Sequence, residues 1–210
     1  NTPLMDIICA DPDPYTRAEA VRYSNEKRLA GAAKDLDPIV RAMVAENPYT
    51  PLEALLELVN DPEEEVVDAL TLNQEFHKEL WEELLKVIDK HLGLSTSIAR
   101  NAPEEFIQRA REAISPQEYI HFLGNENMPK KWLDEFFEHP QVNNEALAVA
   151  MTYGQSFEPK HIPYLIDSKN VNVREKIAGI RPLPLEYQKK FLKDKSASVR
   201  ASLAANPTAD

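Results

Sequence analysis

The stretch Asn47 to Asn73, NPYTPLEALLELVNDPEEEVVDALTLN, decides the fold, because it holds one complete helix–turn–helix unit whose signals recur before and after it. Thr50 is placed to act as an N-cap, Pro51 fits the first helical position, where no amide donor is needed, and Glu53 completes a capping box. Leu52, Leu55, Leu56 and Val59 follow at spacings of three, four and seven, which puts them on one face of a helix that must be buried. Asn60-Asp61-Pro62 ends that helix and opens a second, with Asp61 as cap, Pro62 at the first position and Glu64 at the third. Val66, Val67, Ala69 and Leu70 form the apolar side of the second helix, and Asn73 closes the unit.

The same punctuation runs through the chain. Sixteen prolines stand against five glycines. Pro3, Pro12 or Pro14, Pro38, Pro51, Pro62, Pro103, Pro116, Pro129, Pro140, Pro159 and Pro184 each precede an apolar periodic segment, the position of a helix starter. Alternating β-branched runs with Asn-Gly or Asp-Gly turns are absent, so the fold is expected to be all-α. Thr16-Arg17-Ala18, Val40-Arg41-Ala42, Val67-Asp68-Ala69, Val173-Arg174-Glu175 and Val199-Arg200-Ala201 align as equivalent second helices. Closing asparagines sit at Asn47, Asn73, Asn101, Asn125 and Asn206, with gaps of 26, 28, 24 and 81 residues. That period predicts an α-solenoid of about eight helix-pair repeats of roughly 26 residues. They divide as 1–24, 25–47, 48–73, 74–101, 102–125, 126–153, 154–181 and 182–210, with the longest first helix in the fourth. Residues 1–210 are expected to form one elongated domain with a weak joint at 151–159.

The chain of 210 residues is 43% hydrophobic and 28% charged, a composition that folds. It has no apolar run of eighteen residues and no charged-then-apolar leader, so no membrane contact is expected. The single Cys9 excludes an internal disulfide and a multi-thiolate metal site within these residues and fits a reducing, cytoplasmic setting. Its apolar neighbours predict a buried structural thiol. Asn1-Thr2-Pro3-Leu4 echoes Thr50-Pro51-Leu52, and no Met opens the chain, so a longer parent trimmed at a repeat boundary is expected.

The recurring Asn-Pro-x-Thr-Pro, leucine-rich helix, Asp-Pro and Val-Arg-x-x-Leu-Ala-x-Asn resemble the leucine-rich repeat variant family, a relative in shape of HEAT and armadillo repeats. Asn47 to Asn73 and Asp194 to Pro207 match best. The resemblance implies a right-handed superhelix of paired helices, one of which in each repeat is short or 3₁₀-like. One described member carries a cysteine-ligated iron–sulfur module ahead of its repeats; Cys9 alone supplies no ligand set for one here.

Arg17, Arg41, Arg174 and Arg200 recur at one repeat position. They are expected to form a ladder with aspartates such as Asp11, Asp37, Asp167 or Asp194, broken at Asp68, rather than to grip a ligand. The asparagines are expected to cap turns, since Asn tolerates left-handed geometry and bonds nearby backbone. His77, His91, His121, His139 and His161 lie in different repeats without metal-ligand spacing. The carboxylate clusters Glu63 to Glu65, Glu82 with Glu83 and Glu104 with Glu105 fall in helix first turns or on polar faces, where acids complement the helix dipole. No phosphate loop, nucleophile elbow or zinc-protease motif occurs, so no cofactor and no enzymatic activity are expected, and no small-molecule substrate is evident.

Trp81, Phe106, Tyr119, Phe122, Trp132, Phe136 and Phe137 crowd the middle of the chain at core spacing, while Lys131, Trp132 and Tyr153 are the candidates for an aromatic anchor on a groove. Residues 1–159 hold 14 Lys+Arg and 30 Asp+Glu, and residues 160–210 hold 10 and 5. The leading expectation is a scaffold that takes a protein or peptide partner, basic in character, along a concave groove. The alternative is nucleic acid held by the C-terminal repeats through Lys176, Arg181, Lys189, Lys190 and Lys193, for which the fold offers only analogy, since HEAT-like solenoids include DNA-repair glycosylases.

Overall fold

A computed structural model describes residues 3–152 and 157–207, and every regular element among them is helical. The chain divides into two compact units, Asn1–Ile114 and Ser115–Asp210.

The first unit contains α1 (Pro3–Ile8), α2 (Pro14–Val21), α3 (Glu26–Ala32), α4 (Pro38–Glu46), α5 (Leu52–Leu58), α6 (Glu64–Leu70), α7 (Lys78–Val87) with a following 3₁₀ turn (Ile88–Lys90), α8 (Leu94–Asn101) and α9 (Ile107–Ala113). The second helices of successive pairs stack, α2 on α4, α4 on α6 and α6 on α8, while α5 packs on α7. In α4, Asp37 accepts the Ile39 amide, Pro38 opens the helix, and Val40, Val44 and Ala45 turn inward. The long first helix expected over residues 75–92 is α7, shorter at Lys78–Val87, and the expected short second helix is corrected, since α8 runs for eight residues.

The second unit contains a 3₁₀ helix (Pro116–Gly124), α10 (Lys131–Glu138), α11 (Asn144–Met151), a 3₁₀ turn (Pro159–His161) leading into α12 (Ile162–Leu165), α13 (Val171–Ala178), α14 (Leu185–Phe191) and α15 (Ala197–Ala204). Here α11, α13 and α15 pack in sequence. Its aromatic core joins Tyr119, Phe122, Trp132 and Phe136, with Trp132 edge-on to Phe122 at 5.5 Å between ring centres. His161 is buried and structural: its Nδ1 accepts the Glu158 amide, its Nε2 lies 3.0 Å from Asp134 Oδ1, and its ring stacks on Phe137. Each of the eight stretches delimited in sequence holds at least two helical segments. Of the expected joint at 151–159, residues 153–156 lie outside the described residues.

Two ladders tie successive pairs together. Arg17 forks onto Asp35 at 2.7 and 2.8 Å, Arg41 onto Asp61 at 2.6 and 2.9 Å, and Arg174 onto Asp194 at 2.8 and 3.3 Å. Each aspartate belongs to the turn of the following pair and also accepts the amide two residues on, from Asp37, Glu63 and Ser196. The third guanidinium nitrogen bonds carbonyls of its own turn: Asp11 and Pro12 for Arg17, Asp35 and Leu36 for Arg41, Ser168 and Lys169 for Arg174. One side chain thus satisfies two turns, the use for which a planar five-donor fork is suited. Of the expected partners, Asp194 is gripped by Arg174, while Asp11, Asp37 and Asp167 meet no arginine side chain of the ladder through their carboxylates among the described residues. Asp37 caps α4, and Asp167 pairs with Lys190.

The asparagine ladder runs in the opposite direction along the chain. Asn47 Nδ2 donates to Val21 O, Asn73 Nδ2 to Ala45 O and Asn47 O, and Asn206 Nδ2 to Ala178 O and Ile180 O. Asn47 and Asn73 also accept the amides of Tyr49 and Glu75. Left-handed geometry at the asparagines is corrected, since no non-glycine residue among those described has positive φ, whereas their bonding to nearby backbone is present. What matters is an amide that can donate backwards and accept forwards.

The opening of α5 also differs. Thr50 is buried and its hydroxyl donates to Val44 O at 2.7 Å, so it closes α4 and does not cap α5, which has no side-chain cap. Asp61 is likewise committed to Arg41 and the Glu63 amide, leaving α6 without a side-chain cap. Cys9 is half-buried, 3.9 Å from the Ser24 hydroxyl, and not enclosed; Leu4 and Ile7 beside it stand exposed.

Candidate partner-binding surfaces

The two units differ in charge. Asn1–Ile114 carries 12 Lys+Arg and 23 Asp+Glu, and Ser115–Asp210 carries 12 of each, so the whole net charge of −11 falls in the first unit. Within that unit, a cleft of about 610 Å³ opens where α5 begins and includes Tyr49, Leu52, Glu26, Glu75 and His77. Tyr49 is 72% exposed. Its backbone is fixed by the Asn47 side chain and by Thr50, which turns back into the protein, so the ring stands on a braced turn. Sequence periodicity does not find such a residue, because the variable position of Asn-Pro-x-Thr-Pro belongs to neither helix. The available signal was an aromatic ring at a turn position flanked by acids.

The sequence-selected residues are placed as follows. Trp132 is 1% exposed and enclosed by Phe122 and Phe136, so the expectation that it presents an anchor is corrected: it is core. Lys131, next to it on α10, is exposed. Tyr153 lies outside the described residues. Lys176 and Arg181 share a second cleft, of about 620 Å³, with Phe157, Glu175 and Ser202. Lys176 Nζ donates to Thr152 O, and Lys190 pairs with Asp167. Arg181, Lys189 and Lys193 are exposed and form no ion pair among the described residues.

Asp68, at the broken rung, is not idle. With Glu64 one turn earlier on α6 it faces the start of α8, where Glu64 accepts the Gly93 amide and Ser97 bonds Asp68. A Cβ at Gly93 would lie 3.2 Å from Glu64 Oε1 and 3.3 Å from Asp68 Oδ2, so a side chain there would press on both carboxylates. Asp68 Oδ1 is buried without a partner among the described residues. Burial raises the Asp68 carboxyl above its ordinary range; Ser97 opposes this and the like charge of Glu64 adds to it. A raised folded-state pKa contributes stability below the unfolded value that is lost as pH rises through the folded one. Asp68→Asn is therefore expected to stabilise the protein by roughly 1 kcal/mol at neutral pH. The gain should shrink on acidification toward the ordinary carboxylate range. Urea unfolding at two pH values checks this, and a destabilised variant at neutral pH would refute it.

Among the described residues there is no group of three or more His, Cys, Asp or Glu side chains arranged to hold a metal ion, and no helix long and apolar enough to cross a membrane. No curated protein and no solved structure matches the chain. Residues 39–63, running from α4 through α5 to the Asp61-Pro62 turn, do match the sequence model of the leucine rich repeat variant family, a stretch that overlaps the Asn47 to Asn73 unit.

Proposed function

We propose that the chain is a non-enzymatic helical-repeat scaffold, its pairs stacked as a right-handed α-solenoid, that binds a basic protein or peptide segment in the cleft around Tyr49. The observation that carries this reading is one braced, exposed tyrosine between Glu26 and Glu75, in the unit that holds all of the net negative charge. Tyrosine brings a large apolar face at low entropic cost, and like-signed carboxylates around it steer a cationic segment and reject an acidic one. The free thiol of Cys9 suits a reducing, cytoplasmic setting.

The test uses Lys/Arg-rich peptides containing an aliphatic residue, with acidic peptides of matched length as controls, followed by fluorescence anisotropy. Tyr49→Ala should weaken binding by about tenfold or more while leaving the melting temperature unchanged. Reversal of Glu26 and Glu75 to Lys should slow association and weaken its salt dependence. Equal binding of basic and acidic peptides would sink the reading.

A second reading, nucleic-acid binding, is favoured by Arg181, Lys189 and Lys193, cations without an ion pair among the described residues. Binding of a single-stranded oligonucleotide that falls steeply with salt and disappears on Lys189→Glu with Lys193→Glu would replace the first reading.

A further inference from the structure

We infer that the cleft around Tyr49 is an arginine pocket: of the cations in a basic segment it selects arginine over lysine, the guanidinium lying flat on the Tyr49 ring with its edges turned to Glu26 and Glu75. Such selectivity presupposes the basic-segment reading above and names the side chain that the cleft takes. Three stretches of chain build the pocket, none of them in the first or the last helix pair. Asn47 Oδ1 accepts the Tyr49 amide at 2.9 Å and Asn73 Oδ1 accepts the Glu75 amide at 3.0 Å, so ring and carboxylate spring from the same position of successive turns. Those turns are themselves joined, since Asn73 Nδ2 donates to Asn47 O at 3.0 Å. Glu26 is the first residue of α3, behind its Asn25 cap, and lines the same cleft.

The protein leaves the charge of this cleft uncompensated. Glu26 and Glu75 are exposed and form no ion pair among the described residues, whereas Glu19, Glu57, Glu83 and Glu158 each pair with a lysine or arginine. No lysine or arginine lines the cleft among the described residues. Tyr49 stands between Pro48 and Pro51, whose rings fix the backbone on either side, so little backbone freedom is lost when a ligand covers the phenol. A lysine ammonium is a compact, strongly hydrated point charge, and closing on one carboxylate draws it away from the ring. A guanidinium is planar and less hydrated: its face stacks on an aromatic ring while its in-plane N–H donors reach acceptors on separate elements. The protein already uses arginine in this way, since Arg41 joins Asp61 to the carbonyls of its own turn with one planar group.

The experiment is fluorescence anisotropy of the whole chain with a peptide of five lysines and one leucine, and with a set in which each lysine in turn becomes arginine. One position of the set should bind about tenfold tighter than the all-lysine peptide. Tyr49→Leu should abolish that preference and Tyr49→Phe should keep it, since the ring face survives. Glu26→Gln and Glu75→Gln, both at exposed positions, should each narrow it. In the proton NMR spectrum the δ-methylene of the bound arginine should move upfield with the wild type and not with Tyr49→Leu, a mark of stacking that charge attraction alone does not give. Equal affinity for lysine and arginine at every position overturns the arginine pocket and leaves the basic-segment reading standing. A preference that survives Tyr49→Leu overturns it as well, because the arginine then sits elsewhere. Equal binding of basic and acidic peptides, or no binding of either, overturns both.

Discussion

Arg41→Ala is expected to lower the unfolding free energy by about 3–5 kcal/mol. Arg41 grips both oxygens of Asp61 and also holds the carbonyls of Asp35 and Leu36. The two side chains are only 12% and 5% exposed. Removing the arginine leaves the buried Asp61 carboxylate with only the Glu63 amide and takes a donor from the Asp35 carbonyl, which costs far more than the intact pair is worth against water. Lys34→Ala is the control. Its pair with Glu57 at 3.3 Å is 69% and 58% exposed, and its loss should cost under about 1 kcal/mol. Urea titrations followed by circular dichroism separate the two, and equal effects would refute the ladder as a source of stability. The pH dependence follows. Burial resists ionisation of Asp61, but Arg41 and the Glu63 amide outweigh it and hold the carboxyl below its usual range; Arg17 does so for Asp35 and Arg174 for Asp194. A depressed folded-state pKa gives stability that is present above the unfolded value of about 3.9 and lost as pH falls through the folded one. Arg41→Ala should flatten this acid limb, opposite in sign to the contribution of Asp68.

The repeat was legible because proline or asparagine marks most helix starts chemically, whatever the packing. The partners within the ladder were not. Arg41 and Asp61 lie 20 residues apart, and which turn an arginine reaches depends on how one pair sits on the next, which composition and spacing do not encode. Local capping rules failed at Thr50 and Asp61 for the same reason: both are buried, and tertiary partners outcompete the helix N-terminus. The candidate site inverted in a similar way. Trp132 sits at helical spacing among Leu133, Phe136 and Phe137, a pattern that means core, whereas Tyr49 owes its exposure to a turn without periodicity.

Trp132→Ala should destabilise the second unit by about 3–5 kcal/mol, because a large side chain with almost no exposure leaves a cavity that a close-packed core fills only in part. Its contacts with Phe122 and Phe136, at 5.5 and 6.1 Å between ring centres, are each worth about 0.5–1.5 kcal/mol beyond area burial. Trp132→Phe should recover a good part of the loss, since the aromatic edge toward Phe122 survives. Thermal unfolding and near-ultraviolet circular dichroism report both variants, and a Trp132→Ala protein as stable as the wild type would show that the core does not depend on the indole. Any ligand lost by Trp132→Ala is lost through unfolding, so that variant says nothing about contact unless Trp132→Phe is measured beside it. Tyr49→Ala removes a ring that is 72% exposed, and for that reason it separates recognition from the scaffold that supports it.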